Sequence, residues 1–241
     1  MQNYATRSDA VQKIIKSLNL TRTLYVSSIL IGEPYTGKRT LVRTLFPDIP
    51  HVDGRDQDAV EAALSGTDAL VIEHYEKLPN ADRLDFEGKH IIAIADYAGN
   101  ARALDETFAF IYTMPPLRER PEDIRLYTQI YQDEAHETLQ IRTPVTLEKR
   151  HLDLRENLRS LRASIYREIL LQSSDQKALE RGLYHYFIET LHDESDYHRL
   201  LGLFEKPLLE AGLKLYGSQL RLAEALGINR NTLRKKIHEQ L

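Results

Sequence analysis

The chain contains no cysteine, which excludes disulfides, thiol catalysis and thiolate-held metals. It also lacks a long apolar run. The longest, residues 25–32, is far too short to cross a bilayer. The opening MQNYATRSDA is polar and carries no apolar stretch of the signal-peptide kind, so a cytoplasmic protein without a membrane partner is expected. The nine histidines are scattered, and neither His185 nor the pair His192 and His198 has a metal-ligand spacing, so no metal site built on histidine is expected.

What is present suits a soluble globular chain. Its 241 residues are 42% hydrophobic and 28% charged, enough for one medium domain and one or two small ones, with no long disordered segment. The formal net charge of −4 hides an asymmetry. Residues 212–241 hold six basic side chains (Lys214, Arg221, Arg230, Arg234, Lys235 and Lys236) against Glu224 and Glu239. Removing these six and two from the totals of 32 basic and 36 acidic residues leaves 26 against 34, so the rest of the chain sits near −8. A basic module on an acidic body places any polyanion partner at the carboxy-terminal end.

Hydrophobic periodicity divides the chain into two styles. Residues 8–18 read as an amphipathic helix capped by Ser8, with Val11, Ile14, Ile15 and Leu18 on one face. Residues 23–32, 69–75, 90–97 and 108–116 are apolar, strand-like runs separated by helical stretches such as 56–64, the pattern of an α/β domain with a parallel sheet. Beyond Pro121 no strand signal remains. Residues 155–171 form an amphipathic helix, QSSDQ at 172–176 is the best linker, and helices follow at about 177–192, 196–215, 219–226 and 230–240. The division expected is 1–135 for the α/β domain, 136–175 for a helical lid and linker, and 176–241 for an all-α domain.

The segment Gly32-Glu33-Pro34-Tyr35-Thr36-Gly37-Lys38 fits G-x-x-x-x-G-K between a strand and a helix, so its backbone amides and Lys38 can cradle phosphates. Arg39 stands where the motif has a magnesium-binding Ser or Thr, and Thr40 comes one position late. A retired loop that only packs is the alternative reading of the motif alone.

Four segments carry a resemblance. GEPYTGKRTLVRTLF, ALVIEHYEKLP, PPLRERPEDI at 115–124 and LRENLRSLRASI at 154–165 are similar to the Walker A, Walker B, Pro-Pro-Leu-Arg-Glu-Arg and lid segments of the AAA+ domain of sigma-54-dependent activators, over roughly residues 8–170. The resemblance implies ATP or ADP with magnesium as ligand and Gly32, Thr36, Gly37, Lys38, Arg39, Thr40, Glu73 and Arg159 as its contacts, Arg159 in the sensor II position. It implies contact with RNA polymerase or with a sigma-54 activator.

The departures from that family matter as much. Glu73 and His74 replace the metal-holding Asp and the water-activating Glu; Glu73 can still hold a metal through water, whereas His74 is a poor general base there. Asn100 and Glu106 stand where arginine fingers belong. Only 35 positions separate Lys38 from Glu73, too few for the GAFTGA loop that grips sigma-54. A degenerate domain is expected, with no catalytic residue assigned: it binds nucleotide but neither hydrolyses it efficiently nor remodels the sigma-54 holoenzyme. An active DNA-associated ATPase and a defective subunit that restrains true activators are the alternatives.

Residues 219–240 have the anatomy of a helix-turn-helix. QLRLAEAL ends at Gly227, Asn229 opens the second helix, and Leu222, Ala223 and Leu226 can meet Ile228, Leu233 and Ile237, leaving Arg230, Asn231, Arg234 and Lys235 outside. LGINRNTLRKKIHEQL and the preceding EKPLLEAGLKLYGSQLRLAEA resemble Fis, the factor for inversion stimulation, over about 60 residues back to Leu183. This implies double-stranded DNA as partner, a bacterial nucleoid location, Arg221, Asn229, Arg230, Thr232, Arg234 and Lys235 as contacts, and a homodimer formed through the two preceding helices. Ser218 and Leu220 depart from the polar contact residues of that family.

Overall fold

The apolar runs become parallel strands because helices cover both of their faces. The structure, a computed structural model, describes residues 4–192 and 196–241. Its contacts divide the chain after Ser173 into two units.

The first unit holds one five-stranded sheet: β1 (Ser28–Ile31), β2 (His51–Asp53), β3 (Ala69–Glu73), β4 (His90–Ala95) and β5 (Phe110–Thr113). All pairs are parallel and the order is β2-β3-β4-β1-β5, with Ser28 opposite Ile92 on one side and Phe110 on the other. One face packs on α3 (Gln57–Gly66) and α4 (Ala101–Thr107) through Ile29, Leu70, Ile91, Val60 and Leu104. The other packs on α1 (Asp9–Leu20) and α2 (Lys38–Leu45) through Leu30, Val71, Ile92, Leu18 and Leu41. Alternate residues of one strand serve opposite cores, as a two-sided sheet demands.

Two expectations from sequence need correction. The strand placed at 23–32 is shorter, because Thr21–Thr23 form a 3-10 turn that ends α1, and only Ser28–Ile31 pair. β2 was not anticipated; three residues are too few to show a period.

A helical lid completes the unit. α5 (Pro121–Leu139) and α6 (Asn157–Gln172) enclose Tyr127, Tyr131, Ala135, Leu161, Ile165 and Ile169. The division drawn at 135/136 falls inside α5, which is continuous because its buried tyrosines pack on α6 along its length.

The second unit contains α7 (Gln176–Thr190), α8 (Asp196–Tyr216), α9 (Gln219–Leu226) and α10 (Arg230–Gln240). Leu209, Leu222, Ala223 and Leu233 form its core. α7 contains no buried residue. Among the described residues no helix is long and apolar enough to cross a membrane.

Candidate functional site

The strand order brings four carboxy-terminal strand ends into a row: Asp53 on β2, Glu73 on β3, Asp96 just after β4, and the loop 32–37 after β1. Ligands of open parallel sheets bind at such ends. The loop is shaped by its glycines. A Cβ on Gly32 would lie 2.6 Å from the Met114 carbonyl, and Gly37 adopts φ 96° with the Tyr4 ring 2.8 Å from where a Cβ would be. Lys38 turns back into the loop, donating to the carbonyls of Gly32 (2.5 Å) and Glu33 (2.7 Å) and to Asp96 Oδ1 (3.0 Å). Burial pulls the Lys38 pKa down, and the hydrogen bond that Lys38 donates to Asp96 opposes that shift. Thr36 is fully buried, its hydroxyl donating to the Glu33 carbonyl.

The PPLRER segment braces this loop. Arg118 donates with both terminal nitrogens to Glu33, at 2.9 and 2.6 Å, and these bonds, with one from Asn157, hold the Glu33 carboxyl below its ordinary pKa. Arg120 is fully buried, donating to the Thr36 carbonyl (3.0 Å), to the Tyr4 hydroxyl and to the equally buried Asp123. Asp123 also accepts from the Thr6 hydroxyl and from the backbone of Arg7 and Ser8. Asn157, at φ 52° on the first turn of α6, donates to Glu33 and to the Pro34 carbonyl while its own carbonyl accepts from Leu117 N–H. The motif is therefore a clamp that fastens loop, lid and amino-terminal segment together.

Arg39 is the residue that changes the chemistry. Its Nε donates to Glu73 Oε2 at 2.8 Å and its Nη2 meets the His74 ring. Glu73 Oε1 is taken by Arg43 (2.9 Å) and His51 (3.0 Å). His74 in turn contacts Asp53 Oδ1 at 3.0 Å. In a P-loop fold of this kind a magnesium ion needs a hydroxyl after the loop lysine and a free acid at the end of β3. Neither is present, so the magnesium implied by the resemblance does not fit these residues. Glu73, expected to hold it through water, is instead saturated by three basic side chains. Among the described residues no group of three metal-capable side chains occurs.

Glu73 also gives a pH prediction. The His51 hydrogen bond, reinforced by Arg39 and Arg43 against the effect of burial, lowers its pKa. A depressed carboxyl contributes stability above the ordinary Glu pKa of about 4.3, and that contribution is lost as pH falls through the folded value. Glu73→Gln is expected to be less stable than the parent by about 1.5–3 kcal/mol at pH 7. The gap should narrow below about pH 4. Thermal unfolding followed from pH 7 to pH 3 checks this, and a gap independent of pH would count against it.

A cleft of about 670 Å³ opens over the loop, lined by Tyr35, Gly37, Lys38, Arg39, Thr40, Arg55, His74, Asp96, Tyr131, Leu158, Arg159 and Arg162 among others. Of the site residues expected from sequence, Gly37, Lys38, Arg39, Thr40 and Arg159 line it, whereas Gly32, Thr36 and Glu73 stand behind its wall. Arg159 lies over the Tyr35 ring, 5.0 Å from its centroid, and donates to its hydroxyl at 3.0 Å. Asn100 caps α4 by accepting from Arg102 N–H, and Glu106 pairs with Arg102 at 3.1 Å. Sequence reasoning missed Asp96, Arg55 and Arg162. A polar residue directly after a buried strand, as in Ala95-Asp96, was the available signal for the first; the other two carried none.

In the second unit α9 meets α10 through a turn at Gly227, φ 65°. The Asn229 side chain accepts from Asn231 N–H at 2.8 Å, so Asn229 serves as the cap of α10. Leu233 is buried, while Arg221, Arg230, Asn231, Thr232, Arg234 and Lys235 are exposed. Asn231, Arg234, Lys235 and His238 line one shallow depression on α10. Lys236 points elsewhere, to Glu205 on α8.

Comparison with known proteins gives these geometries their relatives. Residues 200–239 match the family described as bacterial regulatory protein, Fis family. A stretch of 44 residues is 57% identical to the DNA-binding transcriptional regulator NtrC of Bradyrhizobium sp. (strain RP501 Parasponia), and one of 70 residues is 41% identical to NtrC of Rhizobium meliloti (strain 1021). These matches cover 18% and 27% of this chain and span only 9% and 14% of the relatives. The whole chain is similar in fold to NtrX from Brucella abortus in complex with ATP, with a TM-score of 0.56 at 16% identity, covering 69% of that protein. The complex of NtrX with ADP gives a TM-score of 0.54 at 18% identity, over 99% of this chain and 70% of that one. At such identity the likeness carries the fold alone. With a five-stranded parallel sheet and its helices in the first unit and the matched helices in the second, the chain joins a fold similar to that of NtrX to a helix-turn-helix that matches the Fis family of bacterial regulatory proteins over residues 200–239.

Proposed function

We propose that the chain is a dimeric, sequence-specific DNA-binding transcription regulator whose AAA+ domain binds a nucleotide without hydrolysing it efficiently. The observation that carries the reading is the outer face of α10, where Arg230, Asn231, Arg234 and Lys235 stand exposed while Leu233 anchors the helix to α8 and α9. A helix so mounted can enter the major groove and meet base edges and phosphates.

The finer parts rest on separate features. Nucleotide binding is supported by the loop, by Lys38 and by the cationic cleft; NtrX, which shares the fold, has been crystallised with ATP and with ADP. Weak hydrolysis is supported by His74, whose ring is engaged by Asp53 and Arg39 and is not free to activate water. No arginine finger is assigned, because the positions expected for it hold Asn100 and Glu106, neither of which carries a cation. β2 and α3 account for the chain between α2 and β3, which supports the reading that no GAFTGA loop is present and that the protein does not remodel the sigma-54 holoenzyme.

DNA binding by the full chain, followed by fluorescence anisotropy at two salt concentrations, tests the reading. Affinity is expected to fall as salt rises. Arg230→Ala and Arg234→Ala should each weaken binding by about 1–3 kcal/mol. Affinity unchanged in both variants would remove α10 from the interface.

A further inference from the structure

We propose that the guanidinium of Arg39 takes the place of the divalent cation at this site, so that the cleft holds a nucleoside di- or triphosphate through its phosphates without a metal ion. The inference rests on the reading of the cleft as a nucleotide site and specifies how that site works.

Arg39 occupies the position from which a hydroxyl would reach magnesium, and its charge lies against Glu73, the acid that would hold the ion from the other side. The two metal contacts are thus joined to each other by a cation built into the chain. Its pose is fixed from β3: Glu73 accepts from Nε, and His74, itself held by Asp53, meets Nη2. A guanidinium has five N–H donors, so these contacts leave donors for a phosphate at the cleft. The fork geometry suits bidentate phosphate binding, and a side chain already held in place loses little further freedom when it binds.

Charge bookkeeping points the same way. Arg39 and Arg43 both pair with the one Glu73 carboxylate, which leaves a positive charge in surplus beside the cleft. Lys38, Arg55, Arg159 and Arg162 add four more basic side chains to the lining, each paired with its own carboxylate (Asp96, Asp53, Glu156 and Glu134), so they supply hydrogen-bond donors while the surplus charge stays with the Arg39 and Arg43 pair. A polyphosphate entering here meets ammonium and guanidinium donors beside one surplus positive charge, whereas a divalent cation arriving with it meets a guanidinium where its oxygen ligands should be.

Binding of ADP and ATP to the full chain, measured by titration calorimetry in excess EDTA and in excess magnesium, tests the proposal. The dissociation constants in the two buffers are expected to agree within about threefold. Arg39→Ser should weaken binding in EDTA by at least about tenfold, the scale of one charge-assisted hydrogen bond. Arg39→Lys, which keeps the charge and loses the fork, should fall between them. Thermal unfolding midpoints identify any variant that fails to fold, and the comparison of the two buffers with the parent chain stands independently of the variants. Binding by the parent that weakens about tenfold or more in EDTA overturns the proposal and leaves the nucleotide site standing. No binding in either buffer overturns both.

Discussion

Replacing Arg120 by alanine is expected to lower the unfolding free energy of the first unit by about 3–5 kcal/mol, the cost of breaking a buried ion pair from one side. Arg120 and Asp123 are both 0% exposed and 3.2 Å apart. Removing the guanidinium leaves the carboxylate buried with only the Thr6 hydroxyl and two backbone N–H groups to hold it. The same change orphans the Thr36 carbonyl inside the phosphate loop and the Tyr4 hydroxyl, which lies in surroundings that push its pKa up by burial. Urea unfolding at neutral pH should show the midpoint of the first unit falling by about 1 M or more. Arg120→Lys should recover part of the loss, since it restores charge without the fork. A shift under about 1 kcal/mol would mean that water replaces the pair at little cost, contrary to the burial seen here. Because Arg120 fixes Thr36, the alanine variant should also bind ADP more weakly.

The second large effect concerns α7. Leu179 and Leu183, one helical turn apart, are 51% and 42% exposed, and Tyr186 continues their face. A helix with no buried residue in its own unit needs another surface to cover it. With a second copy of the chain as that surface, Leu179→Asp combined with Leu183→Asp should convert a dimer to a monomer in sedimentation equilibrium. DNA affinity should fall by about 10²–10⁴, because one recognition helix then binds without its tethered twin. Both side chains are exposed, so circular dichroism at low temperature should show the second unit still helical, which separates lost assembly from lost folding, while its unfolding midpoint falls because assembly no longer stabilises the folded state. A dimer of unchanged affinity would place the interface elsewhere.

Much of the fold was legible in the sequence because its signals are local. The 3.6-residue period marked α1, α3 and α6 to α10 near their observed bounds, and the apolar runs marked β1, β3, β4 and β5. Gly227 announced the turn of the helix-turn-helix, and its φ of 65° shows why a residue without Cβ is used there. What was not legible depends on encounters between distant segments. PPLRER was recognisable as a motif, yet nothing in it shows that Arg120 reaches back to Tyr4 and Thr36, 116 and 84 positions away. Arg39 and Glu73 each stood out as departures from the P-loop pattern; that they neutralise one another follows only from their 2.8 Å contact.

The sequence by itself determined most of the secondary structure, β2 excepted, the basic carboxy-terminal module and the glycine-bearing loop after β1, since propensity, periodicity and glycine placement act within a few residues. Only the tertiary structure decided the strand order that aligns Asp53, Glu73 and Asp96 beside the loop, the clamp through Arg120 and Asn157, and the ion pair that joins Arg39 to Glu73. The physical reason is range: hydrogen bonds and ion pairs act over about 3–4 Å. Folding is what brings residues dozens of positions apart to within that distance.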